Sequence, residues 1–112
     1  MIICIDIDGV LATGSREDVY SDEAGWAYEK CSYVDGSREE IQKLIDKGNI
    51  VNLYSARWEI DREKTVAWLA YYDIPYNELF LDKPYADIYI DDRVVRYMGS
   101  WHNLLEEINN IW

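Results

Sequence analysis

A chain of 112 residues has room for a single domain whose core buries about two thirds of the unfolded surface, and a second domain does not fit. Its 22 acidic and 11 basic residues give a net charge of -11, a field that repels DNA, RNA and anionic membranes and obliges any anionic substrate to find a local basic pocket. With 49% hydrophobic residues and ten tyrosines the sequence is built to fold, and no apolar run approaches the ~20 residues of a membrane span.

The first element is "MIICIDIDG", an apolar, β-branched run that reads as a strand buried on both faces, as in the middle of a parallel sheet. Met1 enters it without a basic, apolar leader, so a soluble cytoplasmic protein is expected. Asp6 and Asp8 interrupt the run, and a carboxylate leaving water unpartnered loses several kcal/mol of solvation, roughly, so a partner is expected elsewhere. Residues 11–36 follow as a polar stretch without a period of 2 or 3.6, expected as a loop or flap. Cys4 and Cys31 lack ligand spacing and are expected as free thiols.

"SREEIQKLIDKG" predicts a helix, with Ser37 and Glu40 as a capping box, Ile41, Leu44 and Ile45 as its apolar stripe, and Gly48 as its end. A strand in "NIVNLYSAR" ends at Ser55. The next helix, residues 59–72, turns Val66, Leu69 and Ala70 inward and stops before Pro75. Two short strands, 79–81 and 87–90, are split by Lys83 and Pro84, and the second ends in Asp91 and Asp92. A last helix is capped by Ser100 and stripes Trp101, Leu104, Leu105, Ile108 and Ile111; His102 on it reads as a solvated residue, which leaves little support for a metal cluster or a Ser-His-Asp triad.

Alternating strands and helices with long crossovers predict an open, parallel, three-layer Rossmann-like α/β sheet. In such sheets the ligand crevice lies beyond the carboxyl ends of the strands. That edge gathers Asp6, Asp8, Ser55, Asp91 and Asp92, with Lys83 nearby. Each alone reads equally well as a turn, a cap or a surface charge. Together they do not, because like charges ~4 Å apart repel by about 4 kcal/mol at an effective dielectric near 20. Converging carboxylates therefore call for a cation, and hard oxygens without His or Cys suit Mg²⁺.

"DIDGVL" (Asp6 to Leu11), Ser55 in "YSAR", Lys83 in "DKP" and "YIDDR" (Tyr89 to Arg93) resemble the four ordered motifs of the haloacid dehalogenase (HAD) superfamily of phosphohydrolases. The resemblance spans Asp6 to Arg93. Trp68 and Leu69, "IPY" (Ile74 to Tyr76) and "KP" further resemble small bacterial members associated with capsular polysaccharide biosynthesis.

The resemblance implies a HAD-like strand order in space of 4-1-2-3 and a short flap at 11–36 in place of a cap domain. Closure of the site then falls to this flap or to a neighbouring subunit of a homo-oligomer. It implies Asp6 as the nucleophile that becomes an aspartyl phosphate, and Asp8 as the acid for the leaving group and then the base for water. Ser55 would hydrogen-bond the phosphoryl group and Lys83 would neutralise it. Asp91, Asp92, Asp6 and the carbonyl of Asp8 would hold Mg²⁺. Gly9, Ala56, Arg57, Trp58 and Arg93 flank these groups and are the candidate substrate contacts, with pairing of the arginines to surface carboxylates as their plainer role.

Two departures stand out: Ser55 replaces a common Thr and keeps the hydroxyl, and Asp82 stands where relatives often place Gly. The expected activity is a Mg²⁺-dependent phosphomonoesterase acting on a small sugar phosphate or related metabolite. "DGVL" with "DDR" also resembles the deoxynucleotidase branch of the superfamily, although the net acidity disfavours a polynucleotide. A non-catalytic binding module is the rival of another class, and the presence of Asp6, Asp8, Ser55, Lys83 and Asp91 together weighs against it.

Overall fold

A computed structural model describes residues 1–14, 20–21, 25–101 and 104–111. Strand β1 (Ile2–Asp6) pairs in parallel with β6 (Ile50–Tyr54), in a register running from Ile2 opposite Ile50 to Asp6 opposite Tyr54. The other edge of β6 pairs in parallel with β7 (Leu79–Phe80). The sheet order is thus β1-β6-β7, a small parallel α/β arrangement of the expected class. β6 is the central strand, with Val51, Asn52 and Leu53 all buried. The polar Asn52 is accommodated there because its side-chain oxygen accepts the N–H of Glu78 at 3.1 Å.

The expected fourth strand at 87–90 does not form, and residues 81–101 hold neither helix nor strand. Beyond Pro84, which has no N–H to donate, the chain folds back on itself. The Tyr89 hydroxyl donates to the Pro84 carbonyl, while Ile88 and Ile90 stay 77% and 98% exposed. β1 consequently lies at the edge of the sheet, not in its middle. Ile2 and Cys4 are exposed and only Ile5 of the strand is fully buried, which corrects the expectation of a strand covered on both faces.

Helix α1 (Ser37–Asp46) buries Ile41 and Leu44 as expected. Its N-terminus differs: Gly36 is the capping residue at φ +87°, a left-handed backbone natural to glycine, and no side chain caps the helix. Ser37 is inside the first turn and fully buried, and Glu40 pairs with Lys43 at 2.9 Å, so the capping box is not made.

A 3₁₀ turn (Glu59–Asp61) leads into helix α2 (Arg62–Tyr71), whose inward face is Thr65, Trp68 and Leu69, not Val66, Leu69 and Ala70. Polar demands turn the helix this way. Trp68 Nε1 donates to the carbonyl of Cys31 at 3.1 Å, and Thr65 accepts from Arg57; each group would be costly to bury alone. Helix α3 (Leu104–Ile111) does not reach Trp101, which lies outside any helix, so Ser100 does not cap it as expected; Trp101 and Ile108 pack on the core, and the side chains of Leu105 and Ile111 lie outside the described residues. His102 lies outside the described residues. No helix among those described is long and apolar enough to cross a membrane.

The stretch at 11–36 contains more structure than its sequence suggests. β2 (Ala12–Thr13) pairs antiparallel with β5 (Ser32–Tyr33), β3 (Tyr20–Ser21) with β4 (Gly25–Trp26), and a 3₁₀ turn spans Tyr28–Lys30. Leu11, Ala12, Tyr28 and Cys31 belong to the same hydrophobic core as Ile5, Leu53 and Leu69. This segment is therefore anchored at its base.

Candidate active site

The carboxyl ends of β1 and β6 lie side by side because the two strands are parallel and in register, and this places Asp6 and Asp8 opposite residues 54–57. After β1 the chain turns sharply. The N–H groups of Leu11 and Ala12 both donate to the carbonyl of Ile7, at 2.8 and 3.0 Å, and Gly9 donates to the carbonyl of Ala12 at 2.7 Å. Gly9 takes φ +91°, which only glycine adopts without strain. The turn holds Asp8 half exposed at the rim.

Asp6 is positioned by its own backbone neighbour, since the Ile7 N–H donates to Oδ1 at 2.8 Å. Lys83 Nζ lies 3.9 Å from Oδ2. Burial pushes the Asp6 carboxyl above the ordinary carboxylate range, and the charge of Asp8 adds to this; Lys83, the Ile7 N–H and Arg57 oppose it without cancelling it. Asp6 is thus a carboxylate held short of the positive charge it could use.

Lys83 is fixed from three sides. Its side chain is 11% exposed, its N–H donates to the carbonyl of Ser55 at 2.9 Å, and its ammonium lies 4.1 Å from the ring centroid of Tyr54 and 4.4 Å from that of Tyr89. Tyr89 was not legible as a site residue in sequence. It reaches this cluster where the expected Asp91, Asp92 and Arg93 do not.

Ser55, the residue after β6, is almost fully buried, and its Oγ accepts the Arg57 N–H at 3.1 Å. Arg57 is turned inward, with its side chain 1% exposed. Nε donates to Asp8 Oδ2 at 2.9 Å and Nη2 to Asp8 Oδ1 at 2.7 Å, a two-pronged pair. Ala56 and Trp58 are exposed at the same rim, Trp58 at 57%.

Asp82 occupies a left-handed backbone, φ +58°, so this acidic residue takes the conformation that a glycine there would take. Its Oδ1 accepts the N–H of Glu59 at 3.2 Å, which turns the extra charge to the start of the 3₁₀ turn.

Asp91, Asp92 and Arg93 are exposed on the segment after Tyr89 and are not gathered with Asp6 and Asp8. The Arg93 N–H donates to Asp91 Oδ1 at 2.9 Å, a bond that holds the Asp91 carboxyl below the ordinary range, and Arg93 Nε lies 3.8 Å from Asp92. Among the described residues no three His, Cys, Asp or Glu side chains come together as a metal-binding group. Asp6 brings a carboxylate to the strand ends, whereas both carboxylate oxygens of Asp8 are taken by Arg57; one carboxylate suits a Mg²⁺ ion retaining waters and sharing a phosphate.

No protein-family model matches the chain, and no curated protein matches it significantly. Among solved structures, the chain is similar to the crystal structure of an MCSG target from Vibrio cholerae, with a TM-score of 0.67 and 25% identity over 98% of this chain and 94% of the other.

Proposed function

We propose that the chain is a HAD-type phosphomonoesterase that works through an aspartyl phosphate, on a small phosphorylated metabolite such as a sugar phosphate. The observation that carries this reading is the cluster at the strand ends: a half-buried, rigidly held Asp6 facing Lys83, with Asp8 two residues on and Ser55 just past the end of the adjacent strand. A nucleophile needs a fixed geometry toward phosphorus, and the Ile7 N–H and the β1 register provide one. Lys83 supplies charge toward the three phosphoryl oxygens, as phosphoryl transfer demands.

In the reaction an Asp6 oxygen bonds to phosphorus as the ester P–O bond breaks, and the departing alkoxide takes a proton from Asp8. Asp8 then takes a proton from water, whose oxygen bonds to phosphorus while the Asp6–phosphorus bond breaks, releasing phosphate and restoring both carboxyl groups. Asp6 and the Asp8 carbonyl would hold Mg²⁺ with Asp91 and Asp92; the ion, when bound, neutralises phosphate charge.

Bringing Asp91 and Asp92 to Asp6 requires residues 87–90 to add to the free edge of β1, giving the order 4-1-2-3. Two features support that rearrangement: β1 has no partner on its outer edge among the described residues, and Ile88 and Ile90 are almost wholly exposed in a β-prone segment that gains by burial. Purified protein assayed with Mg²⁺ against sugar phosphates, nucleotides and a nitrophenyl phosphate tests the reading. Turnover of at least one phosphomonoester by the wild type, lost in Asp6→Asn, is expected; no turnover of any of them overturns it.

A further inference from the structure

The guanidinium of Arg57 has more partners than a surface ion pair would require. Beyond its fork on Asp8, Nη1 donates to Thr65 Oγ1 of α2 at 3.3 Å, Nη2 lies 4.0 Å from Cys31 Sγ, and the guanidinium carbon lies 3.8 Å from the ring centroid of Tyr28. Tyr28 and Cys31 belong to the segment at 11–36, and both are in the core. That segment is tied to α2 as well, through Trp68 and the Cys31 carbonyl. One side chain therefore joins the end of β6, helix α2 and the base of the segment to a single half-exposed carboxylate.

From this arrangement we propose that Arg57 is a positioning residue for Asp8, and that the seating of Tyr28 and Cys31 sets it. Arg57 is not a substrate contact in this assignment, because its donors face inward and are already engaged. With the ring of Tyr28 beneath it and Thr65 beside it, the guanidinium plane can adopt one orientation, and its two donors then hold both Asp8 oxygens in one direction. A lysine at position 57 could supply the charge but not the fork. Displacement of Tyr28 leaves the guanidinium free to rotate, and Asp8 with it. As the partner of this fork Asp8 is a carboxylate, so to act as the acid it must release one prong and take up a proton from solvent on the freed oxygen before passing it to a leaving oxygen; the base of the segment thereby governs how readily the acid is delivered. The catalytic part of this inference rests on the phosphatase reading; the mechanical link from Tyr28 to Asp8 does not.

The test compares Arg57→Lys, Tyr28→Leu, Tyr28→Phe and Thr65→Val with the wild type by two readouts. The first is NMR of the Arg57 Nε–H and the Asp8 side-chain carboxyl carbon. The Nε–H should exchange slowly with water in the wild type and in Tyr28→Phe, which keeps the ring, and the Asp8 carbon should shift in Tyr28→Leu and, less, in Thr65→Val. An Asp8 signal unmoved by Tyr28→Leu, in a variant whose spectrum remains that of the folded protein, overturns the link. If Tyr28→Leu does not fold, Tyr28→Met, whose adaptable side chain fills the site without a ring face, carries the same decision.

The second readout is kcat and KM on an alkyl and a nitrophenyl phosphate. Arg57→Lys should lower kcat on the alkyl ester by about 10-fold to 100-fold, at or below the bottom of the range of acid–base contributions because Asp8 itself is retained, with a much smaller loss on the nitrophenyl ester and KM little changed. A raised KM with kcat preserved would make Arg57 a substrate contact and overturn the proposal, as would equal kcat losses on the two esters. Absence of turnover in the wild type would overturn the phosphatase reading and the catalytic part with it, while the NMR result still decides the link.

Discussion

Lys83 Nζ stands 3.9 Å from Asp6 Oδ2 while resting between the rings of Tyr54 and Tyr89. The lysine is thereby shared, so Asp6 receives only part of the compensation that its burial demands. The unequal balance leaves a signature in stability.

The carboxyl of Asp6 is pushed up by burial, so in the pH window between the ordinary carboxylate pKa of about 4 and the higher native one the native state retains a proton that the unfolded chain has lost. Stability from this group is present below that value and is lost as pH rises through the higher native pKa. Asp6→Asn removes the ionisation. The variant should melt higher than the wild type at pH 7 without metal, and the gap should shrink toward pH 4. Thermal melts across pH 4 to 8 check this; a lower melting temperature for Asp6→Asn at pH 7 would refute it.

Mg²⁺ should stabilise the fold by mass action, by about 2.7 kcal/mol when its concentration is 100 times Kd, and raise the melting temperature accordingly. Asp91→Ala should abolish most of the rise while leaving the metal-free melt unchanged, because Asp91 is exposed there. Hydrogen exchange should also show the amides on the outer edge of β1 becoming protected when Mg²⁺ is added. Protection unchanged by Mg²⁺ would argue against docking of residues 87–90.

Asp8→Asn should slow phosphoenzyme formation severely with an alkyl phosphate, by roughly 10²-fold or more, and much less with a nitrophenyl phosphate, whose leaving group needs no proton. Rapid quench separates formation from breakdown, and with the aryl ester the variant should accumulate phosphoenzyme on Asp6. The variant should also melt lower than the wild type, since one prong of the Arg57 fork loses its acceptor and the buried guanidinium loses its counter-charge.

Asp82 offers a test confined to the backbone. Its φ of +58° is tolerated by Asp and ill suited to a β-branched side chain. Asp82→Val should cost about 1–2 kcal/mol in urea denaturation, whereas Asp82→Gly should stay near the wild type, the easier backbone offsetting loss of the bond to Glu59.

The strands and helices were readable where one face of a periodic pattern decides burial: α1 through Ile41 and Leu44, β6 through its run of Val51, Leu53 and Tyr54. Asp6, Ser55 and Lys83 were legible as neighbours because polar residues at the ends of adjacent parallel strands must converge. Sequence gave no such rule for Arg57 and Asp8, 49 residues apart. The available hint was an arginine two residues past a buried strand, in a chain with twice as many acids as bases. The inward face of α2 was misread because Val66 and Ala70 are more apolar than Thr65, yet the helix turns to satisfy the Trp68 N–H and the Arg57 guanidinium. Tyr28 and Tyr89 act through ring faces, which follow no period in sequence.

The outer edge of β1 also bears on colloidal behaviour. It is a template for intermolecular strand addition, with Ile2 68% exposed beside it and the uncovered apolar side chains of Tyr85, Ile88 and Ile90 available on a second copy. At neutral pH the net charge of -11 keeps copies apart. That protection fades as the solution approaches the isoelectric point near pH 4.3, where the same edge becomes a seed for precipitation.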